Sequence, residues 1–319
     1  MRLLGLCCGR KMGNSEVLVK EALMGAEELG VDVEIVRLLD LKIKPCTGCT
    51  SCIRSLLKGE PGKCVIKGDD MDFLDERFLE CDGMIIGAPV FIWTPPGYLK
   101  VLADRMGPSH DVFFLREVKK TKGSKNIDPR SFKRRVGAFI TVGGSNPSYV
   151  SMGLPLMNWL TFPQQIIVVD QLQVTDAAEP GEVLLNEEAM RKARKLGRNV
   201  AEAMGKPITE VNFVGDEPGT CPVCHSNLLM VRKKLPVECS ICGTRGTLRV
   251  DGDEITVIFN EEELKNSRWS PEERVKHLSD IREHAEVYGQ RRDEIQEKLE
   301  KYRLYKSYSL PRLIDNINE

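Results

Sequence analysis

Eleven cysteines stand out among the residues that could do chemistry, and eight of them fall into two spaced sets. Cys46, Cys49 and Cys52 follow one another at two-residue intervals, and Cys64 comes after an eleven-residue gap. Three thiolates this close in sequence converge on one point, which suits a [4Fe–4S] cubane with Cys64 as fourth ligand. Zinc, a redox-active cysteine pair and free thiols are the alternatives. The second set pairs Cys221-Pro-Val-Cys224 with Cys239-Ser-Ile-Cys242-Gly, fourteen residues apart. Two such knuckles offer four sulfurs to one tetrahedral ion, zinc or iron. Structural zinc is the expectation, because the first knuckle ends in His225 and not in a glycine that frees its backbone toward sulfur. His225 itself reads as a surface residue. Cys7 and Cys81 read as small apolar core residues.

Three loops offer a second kind of site. Cys7-Cys8-Gly9-Arg10-Lys11-Met12-Gly13-Asn14-Ser15 carries glycines into a helix N-terminus, where free N–H groups and the positive dipole end receive an anion. Arg10 and Lys11 add charge for a phosphomonoester, and Asn14 and Ser15 add side-chain donors. An ordinary capped turn is the bland alternative. Neither GxxxxGK[ST] nor GxGxxG is present, which argues against a P-loop nucleotidase and a dinucleotide fingerprint. The second loop, Gly87 to Tyr98, places Pro89, Val90, Phe91, Ile92, Trp93 and Thr94 just past an apolar run, a rigid wall for a flat aromatic ligand. Trp93 could equally be core. The third, Thr141-Val142-Gly143-Gly144-Ser145, allows close backbone approach to the rim of a planar ring.

These loops need elements to hold them. Apolar runs at 3 to 8, 31 to 36, 83 to 90, 136 to 144 and 164 to 174 read as strands. Amphipathic stretches after Asn14, at 71 to 79, 95 to 106, 149 to 160 and 187 to 204 read as helices. Five strands alternating with helices make an α/β, doubly wound parallel sheet, which binds ligands beyond the carboxyl ends of its strands. Residues 206 to 220 have the composition of a linker. Residues 221 to 260 read as a small β module ending in a hairpin at Asp251-Gly252. Residues 261 to 319 form a charge-laced helical tail that packs on the body or on a second subunit, or stays solvated.

The 319 residues carry 46 Lys and Arg against 47 Asp and Glu, a balance unlike that of a nucleic-acid coat. With 41% hydrophobic and 29% charged residues the chain is neither disordered nor membrane-spanning, and no stretch reaches the ~18 apolar residues of a spanning helix. The short apolar opening falls below a signal peptide's core, so a cytoplasmic location is expected. Nine Lys or Arg lie between Arg116 and Arg135. They read as a patch near the cofactor mouth that attracts a dinucleotide phosphate or an acidic electron carrier, or as a solvated loop.

CGRKMGNS (8 to 15) and GAPVFIWTPPGYLKVLADR (87 to 105) make residues 1 to 205 resemble the NADPH-dependent FMN reductase-like branch of the flavodoxin-like fold. That resemblance implies an FMN phosphate held by Arg10, Asn14 and Ser15, with Cys8 and Gly13 in the same loop. It implies an isoalloxazine flanked by Pro89 to Thr94 and edged by Thr141, Gly143, Gly144 and Ser145. The first cysteine set is similar to that of the iron–sulfur flavoproteins of this family, which carry a [4Fe–4S] cluster beside FMN, and the second is close to a zinc-ribbon or rubredoxin-like module. The implied activity passes electrons between FMN and the cluster. Its donor or acceptor is NAD(P)H or a redox protein such as a ferredoxin, in a homodimer or homotetramer, with neither nucleic acid nor membrane as partner. The alternatives are an NAD(P)H-dependent FMN or quinone reductase with structural cysteines, and a redox- or metal-sensing binding protein.

Overall fold

Strand β1 (Arg2–Cys7), an unbroken apolar run, is buried along almost its whole length and lies between β2 (Asp32–Arg37) and β3 (Gly83–Pro89). With β4 (Val136–Val142) and β5 (Ile167–Val174) these complete a parallel sheet of order β2-β1-β3-β4-β5, the flavodoxin-like arrangement. The structure is a computed structural model and describes residues 1–216 and 219–305. β4 is buried throughout, whereas the edge strands are partly exposed, β5 alternating over its second half and β2 burying only Val36.

Helices cover both faces. α1 (Asn14–Glu27) and, later in the chain, α7 (Glu187–Met204) pack on one face over Leu3, Cys7, Ile85 and Ile140. The two helices approach so closely that a Cβ at Gly197 would meet the Ala22 carbonyl oxygen at 1.7 Å. The opposite face buries Leu4, Leu6, Ile86 and Phe139 under α3 (Met71–Glu80), α4 (Gly97–Met106) and α6 (Gly153–Thr161). α6 starts later than its sequence pattern suggests, because Asn146 caps a separate 3₁₀ turn at Pro147–Tyr149. Two helices escape the sequence reading. α2 (Ser51–Leu57) is two turns inside the cysteine loop, and α5 (Val112–Lys122) is capped by the Asp111 carboxylate, which accepts from the Phe113 and Phe114 N–H groups.

The second sheet is small and antiparallel, in the order β6 (Leu229–Met230), β7 (Val237–Cys239), β8 (Arg245–Asp251), β9 (Glu254–Ile258). Its last hairpin turns at Gly252, where the sequence signal lies. The module docks on the flavodoxin-like body: Gln171 Nε2 donates to the His225 carbonyl at 3.0 Å, and Trp269 packs on Phe162 at 4.4 Å. Arg274 is sandwiched between Phe114 and Phe162 and ion-paired with Asp111. Compactness therefore divides the chain at Val275/Lys276 and not in the 206 to 220 segment. α8 (Glu261–Lys265), α9 (Pro271–Gln290), which crosses that boundary, and α10 (Arg292–Arg303) supply the helical tail. The tail's expected extension over 306 to 319 lies outside the described residues. Among the described residues no helix is long and apolar enough to cross a membrane.

Candidate functional site

The loops at the carboxyl ends of β1, β3, β4 and β5 enclose a cleft of about 280 Å³. Gly9, Arg10, Gly13, Asn14 and Ser15 form its floor, Pro89, Val90 and Phe91 one wall, and Val142, Gly144, Ala177 and Ala178 the other. Gly13 precedes α1 in extended conformation and offers no side-chain cap, so the first N–H groups of the helix are left for whatever occupies the cleft. Arg10 adds the positive charge there. A Cβ on Gly9 would come within 2.3 Å of the Ser15 hydroxyl, so the floor is shaped by the missing side chain. Uncapped N–H groups, a guanidinium and a cradle that a single carbon would fill together fit the phosphate end of FMN.

Asn14 differs from its expected role. Its amide donates to the Ala177 and Glu179 carbonyls at 2.8 and 2.9 Å, and its Oδ1 accepts from the Val183 N–H at 3.2 Å. Arg10 Nη2 donates to the Ala178 carbonyl at 2.9 Å. Both residues thus hold the loop after β5, which the sequence reading passed over. Glu182 completes that loop by accepting from the Ala178 and Glu179 N–H groups at 2.7 and 2.8 Å. The signal available was its position, beyond the carboxyl end of a fifth parallel strand.

A second cleft, about 320 Å³, shares Val90 and Gly144 with the first. It is lined further by Ile92, Trp93, Gly143, Ser145, Tyr149 and Val150, none of them charged. Trp93 is not core: it is half-exposed and lies nearly parallel to Tyr149, with centroids 6.5 Å apart and planes 14° from parallel. A tight turn presents it, closed by Phe91 N–H to Thr94 O at 2.8 Å, with Ile92 and Trp93 both in left-handed backbone at φ 48° and 66°. Tyr149 was not singled out from the sequence.

Three expected cofactor residues line neither cleft. Strand alternation turns the Cys8 side chain into the core, where burial pushes its thiol well up; only its backbone acts at the loop, donating to Gly87 O and accepting from the Tyr98 hydroxyl. Thr94 closes the turn, its hydroxyl on the Pro95 carbonyl at 3.1 Å. Thr141 is fully buried and its hydroxyl has no hydrogen-bond partner among the described residues.

The two cysteine sets differ. Cys221, Cys224, Cys239 and Cys242 are buried with all four sulfurs within 4.8 Å of one another, as one metal ion requires. The knuckles are built alike: Cys221 O accepts from His225 N and Cys239 O from Gly243 N, both at 2.9 Å. His225 adopts left-handed backbone at φ 58° beside Gly243 at 75°, so the lack of a glycine does not alter the first knuckle and is no argument against iron. Its ring stacks on Phe213 at 4.1 Å and is half-buried. The Thr244 hydroxyl lies 3.0 Å from Cys242 Sγ. Hydrogen bonding within the set, foremost from Cys224, holds the Cys221 thiol below its usual range.

Cys46, Cys49, Cys52 and Cys64 are not gathered this tightly. Cys46 and Cys49 are exposed, and Cys52 and Cys64 are half-buried. Burial chiefly, then the nearby charges of Cys64 and Cys49, pushes the Cys52 thiol up, while the Ser51 hydroxyl foremost brings Cys49 down. A four-iron cluster spreads its ligands more widely than a single ion, and four thiols on one exposed loop are the donor set such a cluster takes. The basic segment borders this loop and neither cleft: Gly59 packs against Lys122, and Asn126 reaches Glu60 at 3.5 Å. Arg130 is neutralised by Glu76 and Asp128 and Lys133 by Asp82, and Arg135 is buried among carbonyl oxygens.

Residues 1–179 match the model of the NADPH-dependent FMN reductase family. A flavone synthase of Aspergillus candidus is 32% identical over 299 residues, 91% of each chain. An iron–sulfur flavoprotein of Methanocaldococcus jannaschii is 30% identical over 212 residues, 64% of this chain and 97% of its own. A solved flavone reductase superposes with TM-score 0.82 at 26% identity, covering 98% of this chain and 100% of that one. The chain therefore belongs to the NADPH-dependent FMN reductase family and is a flavin-dependent oxidoreductase.

Proposed function

We propose that this oxidoreductase holds FMN in the first cleft and exchanges reducing equivalents with a planar, uncharged, conjugated molecule seated in the second. The observation that carries the reading is that the two clefts adjoin, sharing Val90 and Gly144 in their linings, with Trp93 and Tyr149 nearly parallel beyond them. Bound FMN supplies the hydride and single-electron chemistry that side chains lack. Arg10 and the α1 N-terminus hold the phosphate. Val90 and the Gly143–Gly144 backbone position the ring, and Trp93 and Tyr149 offer aromatic faces to a flat substrate. Ser145 and Tyr149 bring hydroxyls to the second cleft. The whole-length likeness to proteins named flavone synthase and flavone reductase supports a flavone-like substrate.

The test is NADPH oxidation by the FMN-loaded chain with flavone-type acceptors. Trp93→Ala raises KM for them at least about tenfold, a loss near 1.4 kcal/mol, at unchanged FMN content. Failure of every planar acceptor to reoxidise the reduced protein would sink the reading.

A second reading rests on the 41 to 70 loop. There Cys46, Cys49, Cys52 and Cys64 hold a [4Fe–4S] cluster that supplies single-electron exchange with FMN, fed by NAD(P)H or a ferredoxin-like carrier in a homodimer or homotetramer. The four thiols on one loop closed at its base favour it. Anaerobic purification giving about four irons and four sulfides per chain, beyond any ribbon metal, supports it; a chain with flavin and no labile sulfide removes it.

A further inference from the structure

The ten residues of α4 span about 15 Å. At one end Pro95 and Pro96 lead in from the Trp93 turn, and at the other Arg105 reaches into the base of the cysteine loop. Arg105 is 2% exposed. Nη1 donates to the Lys44 carbonyl at 2.7 Å and to Asp69 Oδ2, and Nη2 donates to the Ile66 carbonyl at 3.3 Å. Asp69 in turn accepts from the Lys44 and Met71 N–H groups at 3.0 and 3.3 Å. The adjacent Asp70 ties the same two strands of chain, accepting from Lys42 N at 2.6 Å and donating back to Lys42 O at 2.9 Å. All four cysteines of the first set lie between these anchors.

Two features go beyond a staple. Gly107, just past α4, sits so that a Cβ there would lie 3.8 Å from Cys52 Sγ, which brings Cys52 to the same helix end. The Arg105 Nε is buried with no hydrogen-bond partner among the described residues, although the rest of the guanidinium is fully used. An apolar residue would close the loop's base without desolvating a charge. A buried cation at the base of a loop that carries four thiols does more, because it favours whatever negative charge the sulfurs carry.

We propose that Arg105, balanced by Asp69, is the positioning residue of the first cysteine set. It fixes, at the end of α4, the base of the loop that carries Cys52 and Cys64, and sets the charge against which a cluster there is reduced. The inference rests on the cluster reading given above. Removing the cation disfavours the more negative, reduced state, and removing Asp69 does the opposite.

The test is redox titration of the anaerobically purified full chain, with iron, sulfide and FMN quantified in each variant. Arg105→Gln shifts the reduced-to-oxidised ratio of the cluster at fixed poise about tenfold toward oxidised, about 59 mV for one electron. Asp69→Asn shifts it in the opposite direction, Arg105→Lys stays near wild type, and FMN content is unchanged throughout. A role limited to folding predicts loss of iron in all three without shifts of opposite sign. Shifts of the same sign, or none, overturn the proposal. Should Arg105→Gln lose its cluster, Asp69→Asn decides, and an unshifted potential there overturns it. A wild-type chain without iron and sulfide removes the cluster reading and this inference together; a loaded wild type with unmoved variants removes this inference alone.

Discussion

The Asn14 side-chain amide donates to the carbonyl of Ala177 at 2.8 Å, and so joins the start of α1 to the loop after β5 across the floor of the first cleft. The same side chain also serves Glu179 and Val183, so both its amide hydrogens and its oxygen are engaged by that loop. Asn14→Ala strands two carbonyls and an N–H, at about 1–3 kcal/mol for each group left buried and unpaired. The Ala177–Ala178 wall then loosens, and FMN affinity falls at least about tenfold. Fluorescence titration of the apoprotein with FMN measures this. A variant of lower Tm but wild-type FMN affinity would show that the clamp serves the fold alone.

Much of this site is written in side chains and was legible there. The five strands announce themselves as continuous apolar runs, and the residues Gly87 to Arg105 place an aromatic wall before α4. What was not legible acts through backbone. Ala177 and Ala178 contribute carbonyls, which no residue pattern records. Cys8 illustrates a different difficulty: the period of two that turns Cys7 toward the α1–α7 face turns Cys8 toward the other, so the thiol closest in sequence to the phosphate loop lies in the core. His225 shows the limit of reading glycine as a requirement, since a knuckle closed by the His225 N–H on the Cys221 carbonyl and by the Cys221 N–H on the Ser226 carbonyl imposes the left-handed backbone on histidine.

The turn that presents Trp93 is built against local preference. A β-branched residue in left-handed conformation costs on the order of 1–3 kcal/mol, and Ile92 is 83% exposed, so it recovers little by burial. Asn is well suited to the first central position of such a turn. Ile92→Asn is expected to stabilise the protein by about 1 kcal/mol, or about 2–4 °C in Tm, while the Trp93–Tyr149 pair is kept. Calorimetry decides it. A destabilised variant would mean that Ile92 is covered in the protein in solution.

Acid stability should depend on Asp69. The Arg105 guanidinium holds its carboxyl down at about 2, from an ordinary value of 3.8. The folded value lies below the unfolded one, so the stabilisation is fully present above about pH 4 and is lost as the pH falls toward 2. Asp69→Asn is less stable than wild type at neutral pH, and its stability declines less steeply between pH 4 and 2. Urea unfolding across that window compares the two slopes. Equal slopes would place the acid sensitivity in other groups.

The ribbon offers a comparison between two knuckles of like backbone and unlike side chains. Thr244 follows the second knuckle with its hydroxyl 3.0 Å from Cys242 Sγ, whereas Ser226, at the equivalent place after the first, accepts from the Leu228 N–H at 3.0 Å. A hydroxyl hydrogen-bonded to a thiolate spreads its charge and orients it for the metal, and loss of such a group typically costs about 10–100-fold in metal affinity. Thr244→Val keeps the shape and removes that bond, so a chelator should strip its metal at about 10–100-fold lower concentration. Ser226→Ala leaves all four sulfurs untouched and should retain metal like the wild type. Because the metal holds the module's two knuckles together, its release should also expose Trp269 and shift the emission of that residue to the red. Equal retention by Thr244→Val and wild type would mean that the Cys242 sulfur is held by the knuckle backbone alone.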